Sequence, residues 1–163
     1  MNAVVESVRS LWLPLQNMNL LVPNVAVAEV LDYRPLDVVE AGPDWLLGCL
    51  QWRDKKLPVI SIECLCGYSL PQGERGSRIS ILNSVNAETD LPFYAMVTAS
   101  IPRLFNADAD ALGDSMAAAR TLPDTVADCV QIGSEEALIP DLTVIQTLVE
   151  KAWKKSRPEV SLT

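Results

Sequence analysis

Short apolar segments separated by turn-forming residues make up most of this chain. An apolar, β-prone stretch at residues 4–15 is followed by Asn17-Met18-Asn19, whose composition predicts a turn. Further on, Asn24 could cap one short helical turn, although the spacing of Val25, Ala28 and Val30 also allows a strand. The pattern predicts strands at residues 4–15, 20–22, 45–52, 57–65, 78–83, 93–101, 126–132 and 137–139.

The most apolar region, residues 45–68, is interrupted by the charged group Arg53-Asp54-Lys55-Lys56. Two apolar runs flanking a charged turn predict a β-hairpin. The second run, residues 57–65, is nearly continuous, which is typical of a strand covered on both faces, with Ile60 in its middle. Pro58 suits the start of such a strand, where no ladder donor is lost. Cys64 and Cys66 would then share one face of this strand.

The clearest helix follows Pro140. Asp141 can cap its start, and Lys154 and Lys155 fall in its last turns, where cations favour the helix dipole. Its apolar residues form one stripe at helical spacing: Leu142, Ile145, Leu148, Val149, Ala152 and Trp153. We expect an all-β barrel or sandwich with minor helix, a single domain over residues 1–155, and a loose tail at 156–163.

Composition narrows the possible functions. The chain has 163 residues, 49% of them apolar and 21% charged, which suits one folded domain. A net charge of −8 argues against nucleic acid and anionic membranes as partners. No segment reaches the ~20 apolar residues of a membrane helix, and the N-terminus lacks a signal-peptide pattern. We expect a cytoplasmic protein without direct membrane insertion, whose four cysteines are small, reduced core residues.

Catalytic and metal sites find little support. The chain has no histidine, which removes the commonest general base and zinc ligand. Asp108, Asp110 and Asp114 suggest a calcium loop, but Leu112 and Ala119 occupy positions that should carry ligands. We therefore predict no enzyme activity, no cofactor and no metal.

Arg53 at the hairpin is the remaining candidate for function. It could belong simply to a solvated polar tip. Alternatively it is a contact residue, because arginine offers five rigid donors on an apolar stem and is common at binding hot spots.

Taken together, these segments resemble the CheW-like domain of bacterial chemosensory systems. Residues 45–48, Trp-Leu-Leu-Gly, match the apolar stretch that ends in the family's glycine, here Gly48. Residues 51–54, Gln-Trp-Arg-Asp, stand where the family has Asn-Leu-Arg-Gly, and residues 57–62 stand for its apolar-Pro-apolar-apolar-Asp-Leu strand. Glu29-Val30-Leu31 resembles the family's Glu-Val-Leu segment. The resemblance covers residues 9–155.

The resemblance implies two five-stranded, SH3-like β-barrels packed on a shared core, with a C-terminal helix. It also implies a non-catalytic adaptor whose partners are the cytoplasmic tip of a chemoreceptor and the regulatory domain of a histidine kinase. The family's contact positions correspond to Val27, Glu29 and Arg53 here. Gly48, Pro58 and Ile60 correspond to structural positions of the hairpin motif. Glu29 and Arg53 could instead form a surface salt bridge with each other.

The chain departs from the family motif at two positions, and the first departure changes the expected length of the hairpin tip. Asp54 replaces a glycine that would tolerate positive φ, so we expect a longer hairpin tip that includes Lys55 and Lys56. Ser61 replaces the family's aspartate. Such divergent members resemble adaptors of auxiliary systems, including those governing type IV pilus motility. The alternative functions are a peptide- or ligand-binding barrel without a kinase and, more distantly, a carboxylate-dependent enzyme.

Overall fold

Two five-stranded sheets dominate the computed structural model of the protein, which describes residues 8–68, 76–85, 89–107 and 122–156. A short 3-10 helix at Asn24–Ala26 precedes β3. The strands are β1 (Val8–Pro14), β2 (Asn19–Pro23), β3 (Val27–Asp32), β4 (Leu46–Trp52), β5 (Lys55–Ile60), β6 (Arg78–Asn83), β7 (Phe93–Thr98), β8 (Arg103–Ala107), β9 (Val126–Ile132) and β10 (Glu135–Pro140), and the helices are α1 (Ile62–Leu65) and α2 (Leu142–Ser156).

The chain starts in one sheet, builds the whole of the other, and returns. Sheet A has the strand order β8-β1-β2-β10-β9, and sheet B has the order β3-β6-β7-β5-β4. Most neighbouring strands are antiparallel, whereas β10 pairs with β2, and β5 with β7, in parallel. This arrangement confirms the predicted all-β fold with a C-terminal helix.

Three apolar clusters explain how the sheets pack. Sheet A surrounds a small cluster that contains Trp12 and Leu21, and sheet B surrounds a larger one that contains Trp52 and Val59. The third cluster joins both sheets to α2 and includes Leu13, Ile60 and Val149. Each sheet therefore has its own interior, and the two subdomains share a core.

Strand β5 lies between two of these clusters. Val59 faces the interior of sheet B and Ile60 faces the shared core, and both side chains are fully buried. Since neighbouring residues of a strand point to opposite faces, burial of both confirms the prediction that this strand is covered on both sides.

The predicted strand over 57–65 was wrong beyond Ile60, because α1 occupies Ile62–Leu65. Ser61 Oγ accepts a hydrogen bond from the Cys64 backbone N–H at 3.2 Å and caps this short helix. A short apolar run does not distinguish strand from helix, and here the cap decides. Cys64 and Cys66 consequently do not share a strand face. Serine and aspartate are both good N-caps, which explains how Ser61 can replace the family's aspartate.

The predicted strand over 93–101 ends at Thr98, and β8 follows at Arg103–Ala107, where no strand was expected. The predicted helical turn and the predicted strand after Asn24 are both present: the 3-10 helix comes first and β3 follows it. The N-cap residue of the 3-10 helix is Pro23, not Asn24 as predicted. The calcium-like aspartates lie outside the described residues.

Helix α2 confirms the C-terminal prediction. Asp141 Oδ1 accepts a hydrogen bond from the Val144 N–H at 3.1 Å, as an N-cap should. The buried side of the helix packs Ile145, Val149 and Trp153 into the shared core. The helix extends to Ser156, and residues 157–163 lie outside the described part of the chain.

Candidate functional site

The β4–β5 hairpin closes through a two-residue turn, Arg53-Asp54. Trp52 pairs with Lys55 and Gln51 with Lys56 in the strand register. Both turn residues have left-handed backbones, with φ of 45° at Arg53 and 64° at Asp54. The predicted longer tip was therefore wrong. Two-residue hairpins favour consecutive positive φ angles because that turn matches the twist of the strands, and this preference holds here without glycine.

Arg53 lies on the neighbouring indole ring. Its Cζ is 4.6 Å from the centroid of the Trp52 ring, within the range of a cation–π contact. Its Nη2 is 3.7 Å from Glu29 Oε1, a weak ion pair. The side chain of Arg53 is still 68% exposed. The guanidinium is thus positioned by two contacts while most of its surface remains available.

Glu29 links the edge strand β3 to the hairpin. Besides its ion pair with Arg53, it accepts a 2.5 Å hydrogen bond at Oε2 from the Trp52 indole N–H. Trp52 is buried inside sheet B and meets Phe93 edge-on, with ring centroids 4.8 Å apart. The sequence analysis did not predict this polar contact of Trp52. The candidate site is the group of three contacting residues Trp52, Glu29 and Arg53.

Val27 lies on the same strand as Glu29 but contributes mainly to packing. It is half-buried against the shared core, and a β-bulge separates it from Glu29. The nearby exposed apolar side chains are Val25 and Val30. The structure therefore brings Glu29 and Arg53 into contact and leaves Val27 beside them.

Gly48 has a steric role. A Cβ atom at this position would lie 2.5 Å from the backbone oxygen of Asp37, closer than real atoms approach. The Asp37 N–H donates to the Cys49 oxygen at 2.8 Å, and the Cys49 N–H donates to the Asp37 oxygen at 3.0 Å. Gly48 thus lets the segment after β3 approach β4 closely enough for Asp37 to pair with Cys49.

Pro58 is buried within β5, later in the strand than the entering position predicted from sequence. It lies immediately before Val59 and Ile60, the two residues of β5 that pair with β7. Pro58 and Ile60 thus both belong to the buried part of β5.

A cavity of about 410 Å³ is lined by Glu63, Tyr33 and Leu36, among others. It is the place where a ligand would bind if the protein were the ligand-binding barrel named above as an alternative. The Glu63 carboxylate is buried and already accepts hydrogen bonds from the Gln16 N–H at 2.7 Å and the Asn17 N–H at 3.0 Å. The Asn17 amide donates a third, at 2.8 Å. The charged group of this cavity therefore holds the β1–β2 turn in place.

Other titratable groups offer little chemistry. Burial raises the pKa of the Cys49, Cys64 and Cys66 thiols, which disfavours the reactive thiolate. The four cysteines are present as thiols and not as disulfides. Within the described residues, no group of three or more cysteine or carboxylate side chains could hold a metal ion. The same part of the chain contains no helix long and apolar enough to cross a membrane.

Comparison with known proteins identifies the family. The model of the CheW-like domain matches residues 9–149, which is most of the chain. The protein belongs to the CheW-like domain family. Among solved structures, this CheW-like domain is similar to the scaffolding protein TtCheW from Thermoanaerobacter tengcongensis. The TM-score is 0.69 at 15% sequence identity, over 84% of this chain and 90% of that one. A comparison with curated proteins found no significant match.

Family membership fits the fold and the site together. The CheW fold consists of two packed β subdomains, which correspond to sheets A and B here. Arg53 keeps the arginine of the family's hairpin motif, while Trp52 and Asp54 differ from it. A chemotaxis scaffold is the general function that this family supports.

Proposed function

We propose that this CheW-like domain is a non-catalytic adaptor that couples chemoreceptors to a histidine kinase in the cytoplasm. The observation that carries the proposal is Arg53, which remains mostly exposed although Trp52 and Glu29 fix its position. A positioned, exposed guanidinium loses little further entropy when it binds a partner. The receptor-facing surface in this proposal consists of Val27, Glu29 and Arg53.

The partners follow from the family. One is the helical cytoplasmic tip of a chemoreceptor, whose apolar side chains could contact two exposed valines, Val25 just before β3 and Val30 on β3, the strand that carries Glu29. The other is the regulatory domain of the kinase, which is itself CheW-like. The departures from the hairpin motif favour an auxiliary system, of the kind that governs type IV pilus motility.

The test is a calorimetric titration of a receptor-tip fragment with wild type and the Arg53→Ala variant. We expect Arg53→Ala to weaken binding by roughly 2 kcal/mol, about 30-fold, if it is a hot spot. Its thermal stability should stay within about 0.5 kcal/mol of wild type, since the side chain is largely exposed.

Arg103 provides a matched control. Its guanidinium carbon lies 5.9 Å from the Trp12 ring centroid on sheet A, so it repeats the arginine–tryptophan contact on the other subdomain. Arg103→Ala should leave receptor binding unchanged. Equal affinities of wild type and Arg53→Ala, with both folded, would exclude Arg53 from the interface.

A further inference from the structure

Positive charge is concentrated at one end of sheet B in a protein that is acidic as a whole. The basic tip consists of Arg34, Arg53, Lys55 and Lys56. Arg34 Nη2 donates a 2.5 Å hydrogen bond to the Gln51 backbone oxygen, which brings it to the hairpin, and Lys56 pairs with Gln51 across the strands. All four side chains belong to exposed residues. The chain as a whole carries 21 acidic and 13 basic residues.

Among the described residues, two carboxylates lie at the basic tip itself. Asp54 lies in the turn itself, and Glu29 is engaged by Trp52 and Arg53. Asp37 pairs with Cys49, three residues before Trp52 on β4, and is therefore farther from the turn. In the part of the chain that the structure describes, the four cations of the tip outnumber these acids, so the local field favours an anionic partner.

Lys55 is held over an aromatic ring, as Arg53 is. Its Nζ lies 5.8 Å from the centroid of Phe93, which in turn packs edge-on against Trp52. The Trp52 ring thus lies under Arg53 and the Phe93 ring under Lys55, and these two cations are two residues apart in the chain. The cation–π contact restrains the flexible lysine, and because Lys55 remains exposed its ammonium can still donate to a partner.

We propose that the basic tip docks an acidic protein segment, and that Lys55 on Phe93 determines specificity by binding a carboxylate beside the Arg53 contact. The proposal rests on the proposed function only for the identity of the partner, the receptor tip. A protein carboxylate is favoured over a nucleic acid, because a net charge of −8 repels a long polyanion while a small basic tip can accept one or two acids.

The first test uses Lys55→Gln, with Lys154→Gln as the control. Lys154 is an exposed lysine in the last turn of α2. Titrated with the receptor-tip fragment in low salt, Lys55→Gln should bind about fivefold more weakly than wild type, and Lys154→Gln should bind equally well. The difference should shrink in about 0.5 M salt, because screening weakens contacts between exposed charges. Unchanged affinity of Lys55→Gln would overturn the proposal.

A second test separates this inference from the proposed function. If the receptor-tip fragment does not bind wild type, the proposed adaptor function fails. An acidic peptide then tests separately whether the basic tip binds carboxylates. The probe is a helical peptide with paired glutamates four residues apart, compared with the same peptide carrying glutamines. The glutamate peptide should shift the NMR signal of the Trp52 indole N–H in wild type, and shift it much less in Lys55→Gln. Equal shifts with the glutamine peptide, or larger ones with single-stranded DNA, would overturn the proposal.

Discussion

The indole N–H of Trp52 donates a 2.5 Å hydrogen bond to Glu29 Oε2, joining the interior of sheet B to its edge strand. Trp52 replaces a leucine of the family motif, and leucine could make neither this bond nor the stacking contact with Arg53. A polar group of a buried aromatic residue commonly needs a partner, and here Glu29 supplies it. The substitution therefore adds two contacts that position the guanidinium.

Trp52→Leu should uncouple Arg53 from its support. We expect a loss of about 1–3 kcal/mol in the free energy of unfolding, because a large buried ring is truncated. Receptor binding should weaken because Arg53 becomes mobile. In the Arg53→Ala background, Trp52→Leu should cause no further loss of affinity, as a double-mutant cycle measured by calorimetry would report. Additive losses would mean that Trp52 does not act through Arg53.

Asp54→Gly should stabilise the hairpin. Asp54 has φ of 64°, a conformation that glycine adopts without the cost to a Cβ atom. The second position of such a turn strongly favours glycine. We expect a gain of about 0.5–1 kcal/mol in urea unfolding, with receptor affinity retained. A clear loss of stability would show that the aspartate side chain contributes a contact that outweighs the backbone strain.

Ile60→Asp should unfold the protein. Ile60 is fully buried in the core shared by both sheets, and an unpaired charge there costs several kcal/mol, a large part of a domain's stability. Val25→Asp is the control, because Val25 is 80% exposed and should tolerate the charge. Circular dichroism melts compare the two. A melting temperature of Ile60→Asp equal to wild type would contradict the placement of β5 in the core.

Tyr94 should make the protein sensitive to alkali. Its phenol is fully buried, its oxygen has no hydrogen-bond partner among the described residues, and burial raises its pKa above the ordinary value. The unfolded chain loses this proton near pH 10 while the folded state retains it, so stability is lost as pH rises above about 10. Tyr94→Phe should lose less stability between pH 10 and 11, measured by urea unfolding, whereas Tyr33→Phe at an exposed site should behave as wild type.

Some predicted elements agree closely with the structure. Strand β9 begins and ends at the predicted residues, and α2 follows its predicted stripe and cap. The failures have local causes. Ser61 converts an apolar run into a helix start, which periodicity alone does not reveal. Strand β8 is short and its Leu104 is exposed, so it carries no pattern of burial.

The candidate site was predicted only in part. The motif pointed to Glu29 and Arg53, which do pair, but their contact depends on β3 and β4 meeting across sheet B. The contact between Trp52 on β4 and Phe93 on β7 depends instead on the pairing of both strands with β5, because residues 41 positions apart become neighbours only in the folded sheet. The length of the turn was mispredicted, because the twist of the two strands outweighed the preference for glycine.

The adaptor function is tested most directly by a bridging assay. Receptor-tip fragment is immobilised, and capture of the purified kinase regulatory domain is measured with and without this protein. We predict that the kinase domain is retained well above background only when wild-type protein is present, and that Arg53→Ala lowers retention while Arg103→Ala keeps receptor binding intact. Retention of the kinase domain at background level in the presence of folded wild-type protein would contradict the account.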